Sequence, residues 1–219
     1  MKKIIILGTG AVAAELTSYI EDYNTFNTTE KLQLLGYLDY EYNRTKYYEV
    51  YELKMPILGD VNSYTFSNDV EVLIGISDIS FRNKMIDFLT KKSVIFAKFI
   101  HPSSIVANTA SIGEGCIIYP FCIVGPKVIL GDFNIVTSYS FISHDCIIGK
   151  GNFFSTSGIA GRVSIGDNNF FGIRSTVIPS ISIGNNNIIQ AGMTVDKSLK
   201  DGTTLFYRYK EQILAIPKI

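Results

Sequence analysis

IVANTA-SIGEGC-IIYPFC-IVGPKV-ILGDFN-IVTSYS-FISHDC-IIGKGN, residues 105–152, is a run of hexads written without a gap. An apolar residue returns at every sixth position: Val106, Ile112, Ile118, Val124, Leu130, Val136, Ile142, Ile148 and Phe154. The count slips by one residue in the stretch Ile159–Arg162, then resumes at Ile165, Phe171, Val177, Ile183, Ile189 and Val195. Each of these positions is aliphatic or Phe, although only 47% of the chain is hydrophobic. Such a period predicts a left-handed parallel β-helix, in which three short strands make one triangular coil of eighteen residues. The repeating side chain points into the prism and stacks on its equivalent one coil on, with coils about 4.8 Å apart. Residues 106–195 supply about five coils. Gly often follows the apolar residue (Gly113, Gly125, Gly131, Gly149, Gly166, Gly172, Gly184), where the chain must bend or run tight. A β-sandwich of evenly spaced strands would not keep a six-residue period for so long.

Working outward, residues 1–100 read differently, as alternating strands and helices. Lys3–Leu7, Leu34–Leu38, Val70–Ile76 and Val94–Phe99 are predicted strands. Thr9–Ile20, with Val12, Leu16 and Ile20 on one face, and Ile79–Leu89 are predicted helices. This pattern predicts a small Rossmann-like parallel sheet covered by helices. Residues 40–56, rich in tyrosine and charge, read as an exposed excursion before Pro56. We therefore divide the chain into a Rossmann-like domain, 1–100, and a β-helix domain with a C-terminal tail, 101–219. The segment Leu205–Ile219 leaves the repeat, with Tyr207–Ala215 a short helix or a packed tail.

Basic and acidic residues balance at 20 each with no basic face, which argues against nucleic acid. Three cysteines (Cys116, Cys122, Cys146) with no CxxC spacing argue against disulfides and zinc clusters and fit a reducing cytoplasm. The apolar run Ile4–Leu7 is too short for a signal peptide or membrane span.

Only two histidines occur. His101 precedes Pro102 at the domain junction and reads as structural. His144 follows the inward Ile142 by two positions, so its side chain projects from the prism near a corner. Imidazole accepts a proton near neutral pH, as an attacking amine or hydroxyl requires. Asp145, next to it, is placed to fix the tautomer. The same pair also reads as an exposed turn. A carbonic anhydrase on this fold would need three histidine ligands and is excluded; no metal site is predicted. Gly8-Thr9-Gly10-Ala11-Val12-Ala13 fits G-x-G-x-x-A, whose amides meet a phosphate at a helix N-terminus. Asp39 ends the next strand, with Tyr40 beside it, where an acid meets a ribose or base edge. One hundred residues make only half of a dinucleotide domain, so a nucleotide-linked sugar fits better than NAD; a plain strand–helix turn also remains open. The clusters Tyr47, Tyr48, Phe153, Phe154, Phe170 and Phe171 read as core or subunit contacts.

Taken together, the Gly-rich start, Tyr37-Leu38-Asp39, Pro56-Ile-Leu-Gly59, His101-Pro-Ser103 and the hexads with His144-Asp145-Cys146 resemble the bacterial sialic-acid O-acetyltransferase and bacillosamine-type N-acetyltransferase family. The resemblance spans nearly the whole chain. It implies a homotrimer with active sites between prisms, acetyl-CoA along the β-helix and a nucleotide-linked amino-sugar on the N-terminal domain. His144 matches the family's general base and Asp145 its acidic neighbour. Gly161 matches a position whose amide meets the thioester carbonyl, and Ile173 and Ala191 match backbone contacts to the pantetheine arm. The implied reaction is direct N-acetylation of a 4-amino-sugar nucleotide for surface glycan synthesis. Sialic-acid-type O-acetylation and a non-catalytic trimeric scaffold are the alternatives. Cys146, two residues after His144, would share its side by alternation, but it repeats Cys116 and Cys122 at multiples of six and reads as packing. The chain departs from the family at three places. Phe153 stands where a second His is common, Ala11-Val12-Ala13 where Gly-His-Gly is common, and Thr204-Leu-Phe-Tyr207 where Gly-x-Pro-Ala is usual. The last leaves Lys197, Arg208 or Lys210 as candidate phosphate partners.

Overall fold

The computed structural model describes residues 1–27, 29–40 and 45–207. A five-stranded parallel sheet comes first, in the order β3-β2-β1-β4-β5. Its strands are β1 Lys2–Leu7, β2 Leu32–Asp39, β3 Ile57–Asp60, β4 Val70–Ile74 and β5 Ile95–Phe96, and its helices α1 Ala11–Phe26, α2 Thr45–Val50 and α3 Ile79–Lys91. Helix α1 buries Val12, Ala13, Leu16 and Ile20, the face its spacing predicted, and runs on to Phe26. The excursion contains α2 and closes with buried Leu53, while residues 41–44 lie outside the described ones. Strand β3 had no sequence signal of its own beyond Pro56, whose carbonyl accepts from the Tyr37 amide. The strand expected over 94–99 is two: Ile95–Phe96 closes the sheet, and Phe99–Ile100 pairs with Ile117–Ile118 in the prism.

From Phe99 the chain winds a left-handed parallel β-helix of two-residue strands in three faces. The first face holds six strands, from Ile105–Val106 to Thr194–Val195; the second five, from Ser111–Ile112 to Ser182–Ile183; the third seven, from Phe99–Ile100 to Thr204–Leu205. Thus the repeat extends past its expected ends, to Ile100 on one side and to Leu205, which pairs with Ile189, on the other. From Ile118 to Val195 the ladder residues are no more than 4% exposed. Each contributes roughly 1.5–3 kcal/mol by leaving water. The one-residue slip lies earlier than expected. Gly158–Ile159 is itself a ladder strand stacked on Phe141–Ile142, and the short turn is Ser155–Ser157.

The corners explain the hexad. One residue in each six sits in the left-handed region: Phe121, Lys127, Phe133, Tyr139, Asp145, Thr156, Arg162, Asn168, Arg174, Ser180 and Asn186, at φ between 45° and 63°. A non-glycine residue there costs about 1–2 kcal/mol, offset because its amide reaches the coil before. Asp145 N donates to Pro126 O at 3.0 Å, Arg162 N to His144 O at 3.0 Å and Gly192 N to Ile173 O at 2.8 Å. The glycines after the ladder residues do not make this bend. A Cβ on any of the seven would stand 2.1–2.9 Å from atoms of the next coil, so they serve close approach.

Inside the corner between the second and third faces runs an asparagine ladder that spacing alone could have revealed: Asn134, Asn152, Asn169 and Asn187, all 0–1% exposed. Each side-chain amide donates to the carbonyl oxygen of the Asn below at 2.8–2.9 Å, and that oxygen also takes the backbone amide of the Asn above. The N-terminal domain covers the third face, where the outward Ile117, Ile135 and Phe153 are buried. Tyr119 donates to Glu15 at 3.0 Å, Asn83 to Asn168 at 2.9 Å, and the buried Arg82 guanidinium to Gly151 O. His101 is buried as well, its Nδ1 accepting from the Ser103 amide and its Nε2 3.0 Å from Asp22, the structural role expected of it. Asn152→Ala is expected to lower stability by about 2–4 kcal/mol in denaturant unfolding, because it strands two Asn169 donors in the interior and takes one of the two donors from the Asn134 oxygen.

Candidate functional site

The residue before each left-handed corner gives its carbonyl to the next coil, so its own amide points outward. Pro120, Pro126 and Pro179 occupy that position, where a missing N–H costs nothing. Along the edge between the second and third faces the outward amides are capped internally. Asp132 accepts from Glu114 N, Asp167 from Lys150 N, Asn185 from Asp167 N and Asp201 from Asn185 N, at 2.7–2.8 Å. Among the described residues no Asn or Asp side chain caps these amides on the other two edges, where hydroxyls take corner amides instead: Ser103 from Phe121 N, Thr109 from Lys127 N and Thr137 from Thr156 N. The edge from third to first face carries Ile173 and Ala191, and the edge from first to second face carries His144, Gly161 and Lys197. Among the described residues the amides of Ile173, Ala191 and Gly161 have no hydrogen-bond acceptor.

His144 is half exposed on its edge, and its Nδ1 lies 2.7 Å from Asp145 Oδ2. That hydrogen bond, first among the causes, holds the Asp145 carboxyl below its usual range, with the charges of His144, Lys127 and Arg162 adding to it. Against an ionised carboxylate Nδ1 carries the proton, leaving Nε2 as the acceptor. The other side of the ring lies over Gly161 on the next coil: a Cβ there would be 2.7 Å from both Cε1 and Nε2. The imidazole and the Gly161 backbone therefore adjoin across neighbouring coils. Ile173 and Ala191 stack one coil apart, both exposed, on the far side of the first face from His144. Lys197 falls on the histidine edge, not with them. Arg208 and Lys210 lie outside the described residues.

Cys146 does not share the side of His144. The left-handed turn at Asp145 breaks strand alternation and sends the thiol inward, where Sγ meets Ala160 O at 3.1 Å. All three cysteines are free and buried. Burial pushes the Cys116 and Cys122 thiols up to about 11 and raises Cys146 too. Phe153 stacks on Phe170 at 5.6 Å on the third face, under the N-terminal domain and away from its own chain's His144.

At the carboxyl ends of β1, β2 and β4, Gly8, Thr9, Gly10, Asp39 and Tyr40 line one cavity of about 170 Å³. This is where sheet order reverses, the usual ligand position in an open α/β sheet. Gly8 is required there, with φ +106° and a virtual Cβ 2.9 Å from Gly75 O. Thr9 donates to Asp39 Oδ2 at 2.6 Å, and the Tyr40 amide to Oδ1 at 2.7 Å. No side chain caps α1 at Gly10, so its first amides stay open, whereas Asp78 caps α3 by accepting from Phe81 N at 2.7 Å. Gly75, Ser77, Asp78 and Phe81 complete the lining. Sequence reading missed them, although they follow a predicted strand end.

Residues 162–197 match the family model of the hexapeptide repeat of succinyl-transferase. No curated protein sequence matches the chain. Among solved structures it is similar to PerB from Caulobacter crescentus in complex with CoA and GDP-perosamine, with a TM-score of 0.77, 22% identity and 92% of each chain covered. The acetyltransferase domain of PglB from Neisseria gonorrhoeae FA1090 gives 0.77 at 17% identity, covering 93% of this chain and 96% of that one. WeeI from Acinetobacter baumannii AYE gives 0.76 at 21% identity, covering 92% and 94%. With thiol reagent at pH 8 the native chain is expected to show no fast-reacting cysteine, and all three are expected to react in denaturant; a fast native thiol would overturn the packing role of Cys146. Repeat and topology together make this a hexapeptide-repeat chain with the fold of PerB, the PglB acetyltransferase domain and WeeI.

Proposed function

We propose that this chain is an acyltransferase that moves the acetyl group of acetyl-CoA to the amine of a nucleotide-linked 4-amino-sugar, with His144 as general base. The observation that carries this reading is the His144 imidazole, held at Nδ1 by Asp145, with its Nε2 side set against Gly161, whose amide has no acceptor among the described residues. The amine nitrogen attacks the thioester carbon and Nε2 takes its proton. The oxyanion that develops on the carbonyl oxygen faces the Gly161 N–H, the kind of donor that stabilises such charge. Collapse breaks the C–S bond, and the imidazolium returns the proton to the leaving thiolate. The reaction asks for no metal and no covalent enzyme intermediate. Asp145 keeps the proton on Nδ1 and stabilises the imidazolium. The CoA and GDP-perosamine held by PerB, and the acetyl coenzyme A held by the PglB domain, support the choice of donor and acceptor class.

The working unit is a homotrimer. The Ile173–Ala191 edge and the His144–Gly161 edge flank one face, so a single chain cannot bring them together. A ring of copies with the first face inward can, since the histidine edge of one then meets the amide edge of the next. The lower part of that face suits burial: Ile105, Ile123 and Phe141 are 46–67% exposed, and Phe121 stacks openly on Tyr139 at its border. The pantetheine arm then runs between edges, taking bonds from Ile173 and Ala191, with Lys197 as a phosphate partner farther along. On the N-terminal domain the open α1 amides take the diphosphate, and Asp39 faces the ribose or base. No described helix is long and apolar enough to cross a membrane. We place the protein in the cytoplasm, supplying an acetylated sugar nucleotide for surface glycan synthesis.

His144→Ala is expected to lower kcat by ~10²- to 10⁴-fold with an unchanged KM for acetyl-CoA, measured by thiol release. Asp145→Asn is expected to cost less, about 10- to 100-fold, because this carboxylate is half exposed. If amine acceptors give no thiol release with wild type, the reading fails. Co-expressed His144→Ala and Gly10→Asp chains, each inactive alone, are expected to regain about a quarter of wild-type activity in mixed trimers. No recovery would mean that each site lies within one chain.

A further inference from the structure

On the edge from third to first face, below the open amides of Ile173 and Ala191, two aromatic corner residues stack. Phe121 and Tyr139 have ring centroids 5.3 Å apart at an interplanar angle of 17°. Both sit in the left-handed region, at φ 60° and 63°, and are 56% and 68% exposed. The proposed mechanism gives neither of them a chemical role. From their place on the edge we infer that Tyr139 of one copy donates its hydroxyl to Asp145 of the neighbouring copy and thereby positions His144. This rests on the proposed trimer and its acetyl transfer, and it names a positioning residue for that site.

The corners put the two edges in step. Phe121, Tyr139 and Thr156 follow one another up the amide edge, and each comes six residues before its counterpart on the histidine edge, Lys127, Asp145 and Arg162. Six residues are a third of a coil, so paired corners differ in height by about 1.6 Å. In a ring of copies about an axis along the prism, every residue keeps its height. The edges that meet therefore face each other level by level: Phe121 against Lys127, Tyr139 against Asp145, Thr156 against Arg162. At none of these levels do like charges meet. The lowest sets an ammonium against an aromatic ring, a favourable combination, and the next sets a phenol against a carboxylate.

Asp145 has an oxygen to spare for that phenol. Its Oδ2 lies 2.7 Å from His144 Nδ1, and among the described residues no donor meets Oδ1. The Tyr139 hydroxyl is likewise without a partner among them, on a ring largely open to solvent. The charged groups around Asp145 on its own edge, Lys127 and Arg162 beside His144, are cationic and keep it an ionised acceptor. A bond from a hydroxyl to such a carboxylate is charge-assisted and stronger than a neutral one. Once Oδ1 is held, the carboxylate stays on Nδ1, and the tyrosine ring covers the pair from the water it now meets. The stack on Phe121 already restricts that ring, so little freedom is lost in making the bond.

Crosslinking tests the contact and kinetics its role. A chain carrying both Tyr139→Cys and Asp145→Cys is expected to be joined by a bis-maleimide with a short spacer into covalent dimers and trimers on a denaturing gel, while either substitution alone gives none. The three native cysteines are buried and stay out of the reaction. Fully labelled chains that remain unlinked overturn the inference. Tyr139→Phe, which keeps the ring and its stack, is expected to lower kcat about five- to tenfold with KM for acetyl-CoA unchanged. In an Asp145→Ala background the same substitution is expected to cost less than about twofold. A ring that only packs would act independently of the carboxylate, so equal losses in the two backgrounds, or no loss from Tyr139→Phe alone, also overturn it. An active protein whose chains do not link sinks this contact alone. Linked chains that release no thiol with any amine acceptor would sink the proposed function and leave the contact standing.

Discussion

The left-handed corner is the constraint from which the rest of the prism follows. A chain that places one residue in six at positive φ must return its backbone to register each coil, and the corner amide does this by bonding the carbonyl one coil before. The residue preceding it is left with an outward N–H that no strand can use. Three prolines mark that position, and asparagine or aspartate side chains cap it along one edge. What remains is a short row of open amides on the two other edges. The site is thus a by-product of how the prism turns: donors that the fold cannot satisfy are available to a ligand with carbonyl and amide groups along its length.

The N-terminal domain follows a second asymmetry of the same kind. Two helices begin beside one cavity, and the difference between them is a single side chain. At α1 the cap is Gly10, which offers no oxygen, so backbone amides stay free for an anion; at α3 Asp78 has filled that role. The domain is then fixed to the prism by contacts that cross long stretches of sequence. Asn83 meets Asn168, Arg82 meets Gly151, and Tyr119 meets Glu15. Arg82 is instructive, because desolvation lowers its pKa to about 10 and two of its nitrogens lack partners. A guanidinium is tolerated there for the bond it makes across the interface, not for charge pairing.

The sequence carried the prism because its information is short-ranged and repeated. Ile142, Ile148 and their equivalents each announce the same environment, and His144 inherits its outward position from them. The Gly-rich turn was equally legible, since Gly8 needs both a positive φ and a bare Cα. What depended on one local event was not. The deletion was misplaced because Ile159 was not counted in the ladder; only coil pairing shows that it stacks on Ile142. Cys146 was given the side of His144 because alternation was carried through a residue, Asp145, that is not in a strand. The asparagine ladder was present at the same spacing as the aliphatic one, yet polar residues are not what a search for a core selects. The space between α3 and the third face had no local signature, since its walls come from segments some ninety residues apart.

Half-exposure of His144 is the constraint that the proposed mechanism has to answer. The imidazole is open to water on one side, and its carboxylate partner is screened. Neither exclusion of water nor alignment of a thioester is achieved by the chain alone, because the amides that would hold the arm lie across a whole face. In the proposed trimer, closing the ring would supply both at once: the neighbour's edge would cover the imidazole, and its amides would fix the donor within reach of Nε2. In this arrangement assembly is a condition of catalysis, because the base has no substrate to act on until a second copy supplies the other wall.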